Sequence, residues 1–335
     1  MSTRIRDKRT PRFTNIKPWR HGAIVMLVSL TMTGGSHAQG DRPIKFILPV
    51  ATASGVDTIT RAAQPALSKA LGAPVVIENQ PGAGGIVGTQ ALVKSSPDGT
   101  TLSIVSNNHV IYPSVYKSVP FDAVADITPI AVVGSTPIVL VVNPKVPAKN
   151  AQELIALLKA KPDELNYASS GNGTILHLAA AMFLDQAGVK ARHIPYKGVG
   201  PMITDLLGGQ VEFGTLSLPS VQQHIKSGAL RAIGVAASQR VAAAPDIPTM
   251  AEQGMPNYLV EGWFAVIGPA KMPLPLVNKV NAAVKEAFAS PDVKEAMAKQ
   301  GNTIDVSTPE YAAKFFPSEL AKYAALVKKA GVELQ

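Results

Sequence analysis

The chain has 335 residues, no cysteine and a formal net charge of +9. The absence of cysteine excludes disulfides and lipid attachment at a mature N-terminal cysteine, and the length suits one large or two medium domains with real cores. The positive charge would suit a nucleic-acid partner, but its distribution argues against one.

Arg4, Arg6, Lys8, Arg9, Arg12, Lys17 and Arg20 precede a short apolar run, Ala23 to Met32, and then Ser36-His37-Ala38. A basic head, an apolar core and small residues before the cut describe a secretory signal cleaved after Ala38. The run of about ten apolar residues is too short to span a bilayer, which needs about 20. Without residues 1–38, 25 basic residues face 22 acidic ones, so nucleic-acid binding loses its support. The mature chain is expected to be a soluble periplasmic monomer.

From Asp41 onward, apolar strand-like runs alternate with helical patterns. The first strand, Ile44–Pro49, leads through the small-residue loop Ala51–Gly55 into a helix over Asp57–Leu71. That helix carries an apolar stripe at Ile59, Ala62, Ala63, Ala66, Leu67, Ala70 and Leu71. Ser54 and Asp57 have capping-box spacing, and Pro65 implies a kink or a frayed start. Next come a strand at Val75–Glu78, the loop Pro81–Gly85, a helix at Gly85–Lys94, and a Pro97-Asp98-Gly99 turn into Leu102–Ser106. Strands are expected at Ile130–Val133 and Val139–Asn143.

After the Pro-marked stretch Asn143-Pro144-Lys145-Val146-Pro147, the alternation resumes. Helices are expected at Ala151–Ala160, Ile175–Ala187, Pro201–Gly208, Ser220–Ser227 and Pro248–Gln253. Strands are expected at Asn166–Ala168, Arg192–Pro195, Val211–Thr215 and Ala232–Ala236. Beyond Glu261–Pro269, read as a connection, only helices follow, at Pro275–Ala289, Pro291–Gln300 and Pro309–Ala330.

This alternation argues an α/β fold with mainly parallel sheets flanked by helices. Helices without strands of their own must cover an existing sheet. The reading is therefore a discontinuous domain, 39–143 plus 260–335, with 144–259 inserted. Two crossovers make a hinge, and a small ligand is expected in the cleft between the lobes.

Five loops follow strands and are built of small or turn-forming residues: Ala51–Gly55, Pro81–Gly85, Ser169–Thr174, Tyr196–Pro201 and Leu216–Pro219. In parallel sheets the ligand lies outside the carboxyl ends of the strands, where such loops sit. Three of them precede helices with little charge, leaving amide N–H groups for an anion. The Pro81–Gly85 loop misses the dinucleotide fingerprint, and no Gly-Lys-Ser/Thr phosphate loop occurs, so no nucleotide cofactor is expected.

No catalytic or metal site is expected either. Ser169 and Ser170 lack the nucleophile-elbow frame, and His109, His177, His193 and His224 show no metal spacing and no partnered nucleophile. His193 reads as a core or edge residue and His177 as an exposed one. Lys197 suits either a ligand carboxylate or solvent, and Asp57 braces its own loop. Trp263 and Phe264 read as hinge packing.

Several segments in fixed order resemble the tripartite tricarboxylate transporter solute-binding proteins, the Bug family. They are PVATASGVDTITR (49–61), VVIENQPGAGG (75–85), TPIAVVGSTPIVLVVNP (128–144), YASSGNGT (167–174), PYKGVGPMITDLLGGQVEF (195–213) and DIPTMAEQG (246–254). The resemblance covers essentially the whole mature chain. It implies a two-lobed, type II-like periplasmic binding protein that is not an enzyme. Such a protein closes on an organic anion and delivers it to integral-membrane transporter subunits. Carried over by position, the first-lobe site comprises Thr52, Ala53, Ser54, Gly55 and Asp57. The second-lobe site comprises Ser169, Ser170, Gly171, Asn172 and Thr174, with Lys197 and Ser217.

Two departures stand out. The family loop usually reads P-F-P-P-G-G-S-T-D, where this chain has Ala51, Thr52, Ala53 and Ser54; family members often carry Asp-Asn where this chain has Leu216 and Ser217. Losing an acidic group disfavours a ligand with a free ammonium and favours an apolar or aromatic mono- or dicarboxylate. The alternative role is a sensor module reporting a carboxylate to a membrane signalling protein.

Overall fold

The structure, a computed structural model, describes residues 42–332 and residue 334. The segment read as a secretory signal lies outside the described residues. Strand β1 (Ile44–Leu48) sends Phe46 and Leu48 into one buried cluster and Ile47 into another, so both faces of its sheet are covered. Strands β2 (Val75–Asn79) and β3 (Thr101–Ser106) flank it in parallel. On the far side of β3 lies β9 (Glu261–Pro269), antiparallel, with Ser106 opposite Phe264. Strand β4 (Ile127–Val142) then pairs antiparallel with β9, and two-residue β10 (Thr303–Ile304) adds to the other edge of β4.

The second sheet begins on the same β4. From Ile138 onward, β4 pairs antiparallel with β7 (Phe213–Ser217) and, on its other edge, with β8 (Arg231–Val235). Strand β5 (Asn166–Ser169) pairs in parallel with both β7 and β6 (Arg192–Pro195). Each sheet therefore contains a parallel three-strand array, β2-β1-β3 or β6-β5-β7, as the alternation implied, and antiparallel β4 and β9 link the two.

Helix α1 (Gly55–Leu71) shows why the strand-to-helix junctions form. The Ser54 hydroxyl accepts from Asp57 N–H at 3.2 Å, and Gly72 closes the helix in the left-handed conformation at φ 69°. The return bond of the expected capping box lands one residue earlier, with Ala53 N–H donating to Asp57 Oδ2 at 3.1 Å. The helix runs from Gly55 through Pro65, so the expected frayed start is absent. The other junction helices are α2 (Ile86–Val93), α5 (Ile175–Ala187), α6 (Val199–Gly208) and α7 (Leu218–Lys226). Helix α4 (Ala151–Ala160) is capped by Asn150.

The C-terminal helices α8 (Leu274–Ala289), α9 (Pro291–Lys299) and α10 (Pro309–Lys329) cover the first sheet. Val277, Val280, Val284 and Phe288 of α8 join Phe46, Leu102 and Phe264 in one core; Phe316 and Tyr323 of α10 join Ile47 and Val105 in the other.

Several expectations are corrected. The two strands expected around 130 and 140 form one 16-residue strand. Gly134 to Pro137, which made it look broken, pair in unbroken register with β9, and the register shifts fall earlier, between Pro129 and Ala131 and between Val132 and Gly134. A side chain at Gly134 would strike the Thr303 carbonyl, so glycine permits β10 to dock. Glu261–Pro269, read as a connection, is the buried strand β9. Residues 138–142, read with the first block, pair in the second sheet. Pro248–Gln253 shrinks to a 3-10 turn at Ala251–Gln253, with Thr249 bridged to Val235. A short helix α3 (Asn108–Ile111) went unread. Among the described residues no helix is long and apolar enough to cross a membrane.

Candidate ligand-binding cleft

A cavity of about 530 Å³ lies where the carboxyl ends of both parallel arrays meet. Five helices direct their first turns at it. Their N-cap residues Ser54, Gly85, Thr174, Gly198 and Ser217 all line the cavity. Each N-terminus carries roughly half a positive charge on amides that have no carbonyl within the helix. Among the described residues no aspartate or glutamate lines the cavity, and Lys197 is the lysine that does. Apolar side chains, among them Val50, Ile138, Leu176, Val199 and Trp263, complete the walls.

The loop ahead of α1 is held from behind. Asp57 is only 4 % exposed and accepts from Ala53 N–H, from Arg61 Nε at 2.9 Å and from Asn79 Nδ2 at 2.9 Å. Its charge is satisfied away from the cavity. The brace holds Ala53 at φ 63° and presents Ser54 and Gly55 to the cleft, while Thr52, Ala53 and Asp57 stay out of the lining.

The loop ahead of α5 is held by neutral rings. Ser169 is fully buried, with its Oγ 2.7 Å from His193 Nε2. Gly171 N–H donates to the same hydroxyl at 3.2 Å, and Gly173 N–H donates to His177 Nδ1 at 3.3 Å. The His177 and His193 rings stack 4.0 Å apart and 3° from parallel, with the nearly parallel Tyr167 ring 4.8 Å from His193 and 6.3 Å from His177. Burial, with His193 alongside, pushes the His177 imidazole down to about 3, and burial pushes His193 down to about 4.

His177 is thus buried, not exposed as expected. Ser169 does have an imidazole partner, which the sequence reading denied. The pair is invisible in sequence spacing because His193 faces Tyr167 across the β5–β6 ladder, two residues from Ser169. Ser169 does not line the cavity; Ser170, Gly171, Asn172, Thr174, Lys197 and Ser217 do.

The walls touch each other around the cavity. Tyr116 donates its hydroxyl to the Asn172 carbonyl at 3.3 Å, and Asn108 Oδ1 accepts from Ile175 N–H at 2.8 Å. A Cβ on Gly198, whose φ is 121°, would lie 2.5 Å from the Ala51 Cβ, and a Cβ on Gly55 would lie 2.8 Å from Ser217 Oγ. Glycine at these two positions lets the walls meet. Asn108, Tyr116, Thr136, Trp263 and Phe264 also line the cavity and were not read as site residues. Asn107-Asn108 directly follows β3, so the same rule that found the other loops would have found it. Among the described residues no group of three metal-binding side chains occurs.

The model of the tripartite tricarboxylate transporter family receptor matches residues 59–332. The chain belongs to that family. Like its relatives, this receptor is a solute-binding protein of a transport family rather than an enzyme. It is 38% identical over 296 residues to protein BugT of Bordetella pertussis, covering 88% of this chain and 91% of BugT. The solved periplasmic binding protein BugD superposes with a TM-score of 0.84 at 31% identity, covering 88% of this chain and 99% of BugD. The R. palustris protein Rpa4515, solved with adipate, gives a TM-score of 0.84 at 27% identity, covering 88% of this receptor and 99% of Rpa4515.

Proposed function

We propose that this receptor works in the periplasm, closes on an organic carboxylate and hands it to the integral-membrane subunits of its transporter. The observation that carries the reading is the charge pattern of the cleft: helix N-termini from both walls and, among the described residues, one lysine and no carboxylate side chain. A hydrogen bond donated by a backbone N–H to a carboxylate oxygen is charge-assisted and contributes about 1.5–3 kcal/mol. Adipate on Rpa4515 supports the same ligand class.

We take residues 42–137 with 261–332 as one lobe and 138–260 as the other. The hinge is then the place where both crossovers lie side by side, Pro137 opposite Glu261. Ser54 and Gly55 would hold the ligand from one lobe, and Ser170 to Asn172, Thr174, Lys197 and Ser217 from the other.

Thermal unfolding against a panel of mono-, di- and tricarboxylates tests the reading. A ligand at 100 times its dissociation constant should add about 2.7 kcal/mol of stability. Matched amines and neutral amides should add none. A shift given only by non-carboxylate solutes would refute the proposal.

A further inference from the structure

Thr136 is 8 % exposed and lines the cavity, yet its buried Oγ1 makes no hydrogen bond among the described residues. The neighbouring hydroxyls are engaged. Ser54 accepts from Asp57 N–H, Thr174 bonds the Gly171 carbonyl and His177 N–H, and Ser217 pairs with Ser220 at 2.7 Å. Elsewhere a buried threonine finds a carbonyl, as Thr60 does at Val56 and Thr215 at Leu176. An unpaired buried hydroxyl is less stable than the isosteric methyl of valine, and valine suits a strand equally well. Local stability therefore gives no reason for a hydroxyl at this position.

Its position does. Thr136 sits in β4 between the two sheets, opposite Gly262 and two residues before Ile138 pairs with Ser217. It lies at the edge of the first lobe, where β4 passes toward the second sheet, and lines the cavity there. Gly262 also lines the cavity, and a Cβ there would lie 2.7 Å from Thr136 Cγ2, so the missing side chain keeps this side of the threonine open. A rotation of about 120° about χ1 carries Oγ1 into the place of Cγ2, and Cγ2 into that of the Cβ hydrogen, which turns the hydroxyl toward that space.

We propose that Thr136 is a specificity-determining residue that reads a hydroxyl or keto oxygen on the ligand. The ligand class is then oxygenated carboxylic acids rather than their deoxy counterparts. This rests on the carboxylate reading above. A threonine hydroxyl donates to a keto or hydroxyl oxygen and accepts from a hydroxyl. A site built to bond such a group rejects the analogue without it, because the site's own polar group is left unpaired.

The test is calorimetry with matched pairs: malate with succinate, citrate with tricarballylate, and mandelate with phenylacetate. Wild type, Thr136→Val and Thr136→Ser are compared, with unliganded melting temperatures measured alongside. In the best-bound pair, wild type should prefer the oxygenated acid by about tenfold or more, Thr136→Ser should keep that preference, and Thr136→Val should reduce it to about threefold or less at an equal or higher melting temperature. Binding without preference for the oxygenated member, or a preference that survives in Thr136→Val, overturns the proposal and leaves the carboxylate reading standing. If no acid of any pair binds, the carboxylate reading fails and the proposal with it. If Thr136→Val does not fold, Thr136→Ala supplies the same comparison, and a preference that survives in it likewise overturns the proposal.

Discussion

Ahead of α1, a buried carboxylate ties the loop to an arginine and an asparagine; ahead of α5, two stacked neutral imidazoles and a serine perform the same task. Both loops connect a parallel strand to a capped helix and present amides to one cavity. The difference shows that the cleft-facing side of an anion site and its supporting side obey separate rules. The exposed side must stay free of negative charge, whereas the rear can use any group whose hydrogen bonds are satisfied. Asp57 is tolerated because its oxygens already have three donors and point away.

Acidification should separate the two loops most. A histidine held neutral by the fold contributes stability that is fully present above its unfolded pKa near 6.5 and is lost as pH falls toward the folded value. His177, held at about 3, should therefore cost about 1.4 kcal/mol per pH unit between about pH 6.5 and 4, with less from the partly exposed His193. His109, pushed down to about 4 by burial, adds a slope of its own elsewhere. His177→Gln should accordingly flatten the stability–pH curve by about 1.4 kcal/mol per unit in denaturant titrations, and an unchanged slope would place the acid sensitivity elsewhere.

Truncating the braces at neutral pH gives the next largest effect. Asp57→Ala should lose about 2–3 kcal/mol, because Ala53 N–H, Arg61 and Asn79 are all released, whereas Ser169→Ala should lose about 1 kcal/mol. Equal losses in urea unfolding would mean that the charged brace is no stronger than the neutral one. The smallest effect is expected in front. Lys197 is exposed and makes no ion pair among the described residues, so Lys197→Ala should weaken carboxylate binding by no more than about tenfold, or 1.4 kcal/mol, by calorimetry. A thousandfold loss would make the lysine the principal anchor.

The same contrast explains what was legible beforehand. Ala51–Gly55 and Ser169–Thr174 could be read because small residues between an apolar run and a helical stripe have a local physical meaning. The capping of α1 by Ser54 and the turn away from the cavity by Asp57 follow from short-range geometry. The Ser169–His193 pair depends on strand register, which no spacing encodes. Strand β9 was missed because Gly262 and Gly268-Pro269 bracket its apolar run and mark it as a connection, and β4 was divided because Gly134 to Pro137 reads as a turn. In both strands tertiary pairing overrides local preference. Thr136 lies in that misread stretch, so the cleft's orphaned hydroxyl could not be recognised before β4 was seen to be continuous.

Strand β9 also imposes an order on chain assembly. The second sheet needs only residues from β4 to β8, so its pairings span fewer residues than that of Ser106 with Phe264 and can form once that stretch is present. The first sheet cannot close until Phe264 reaches Ser106, and the core beneath it also waits for Val277 to Phe288 of α8. Such distant pairings must overcome loop-closure entropy before they gain any contact, which makes them slow. Until the last quarter of the chain arrives, β3 and the inner edge of β4 present unpaired backbone, the kind of edge on which another chain can add a strand. A holding factor that keeps the chain unfolded until it is complete would protect these edges more than any other part of the molecule.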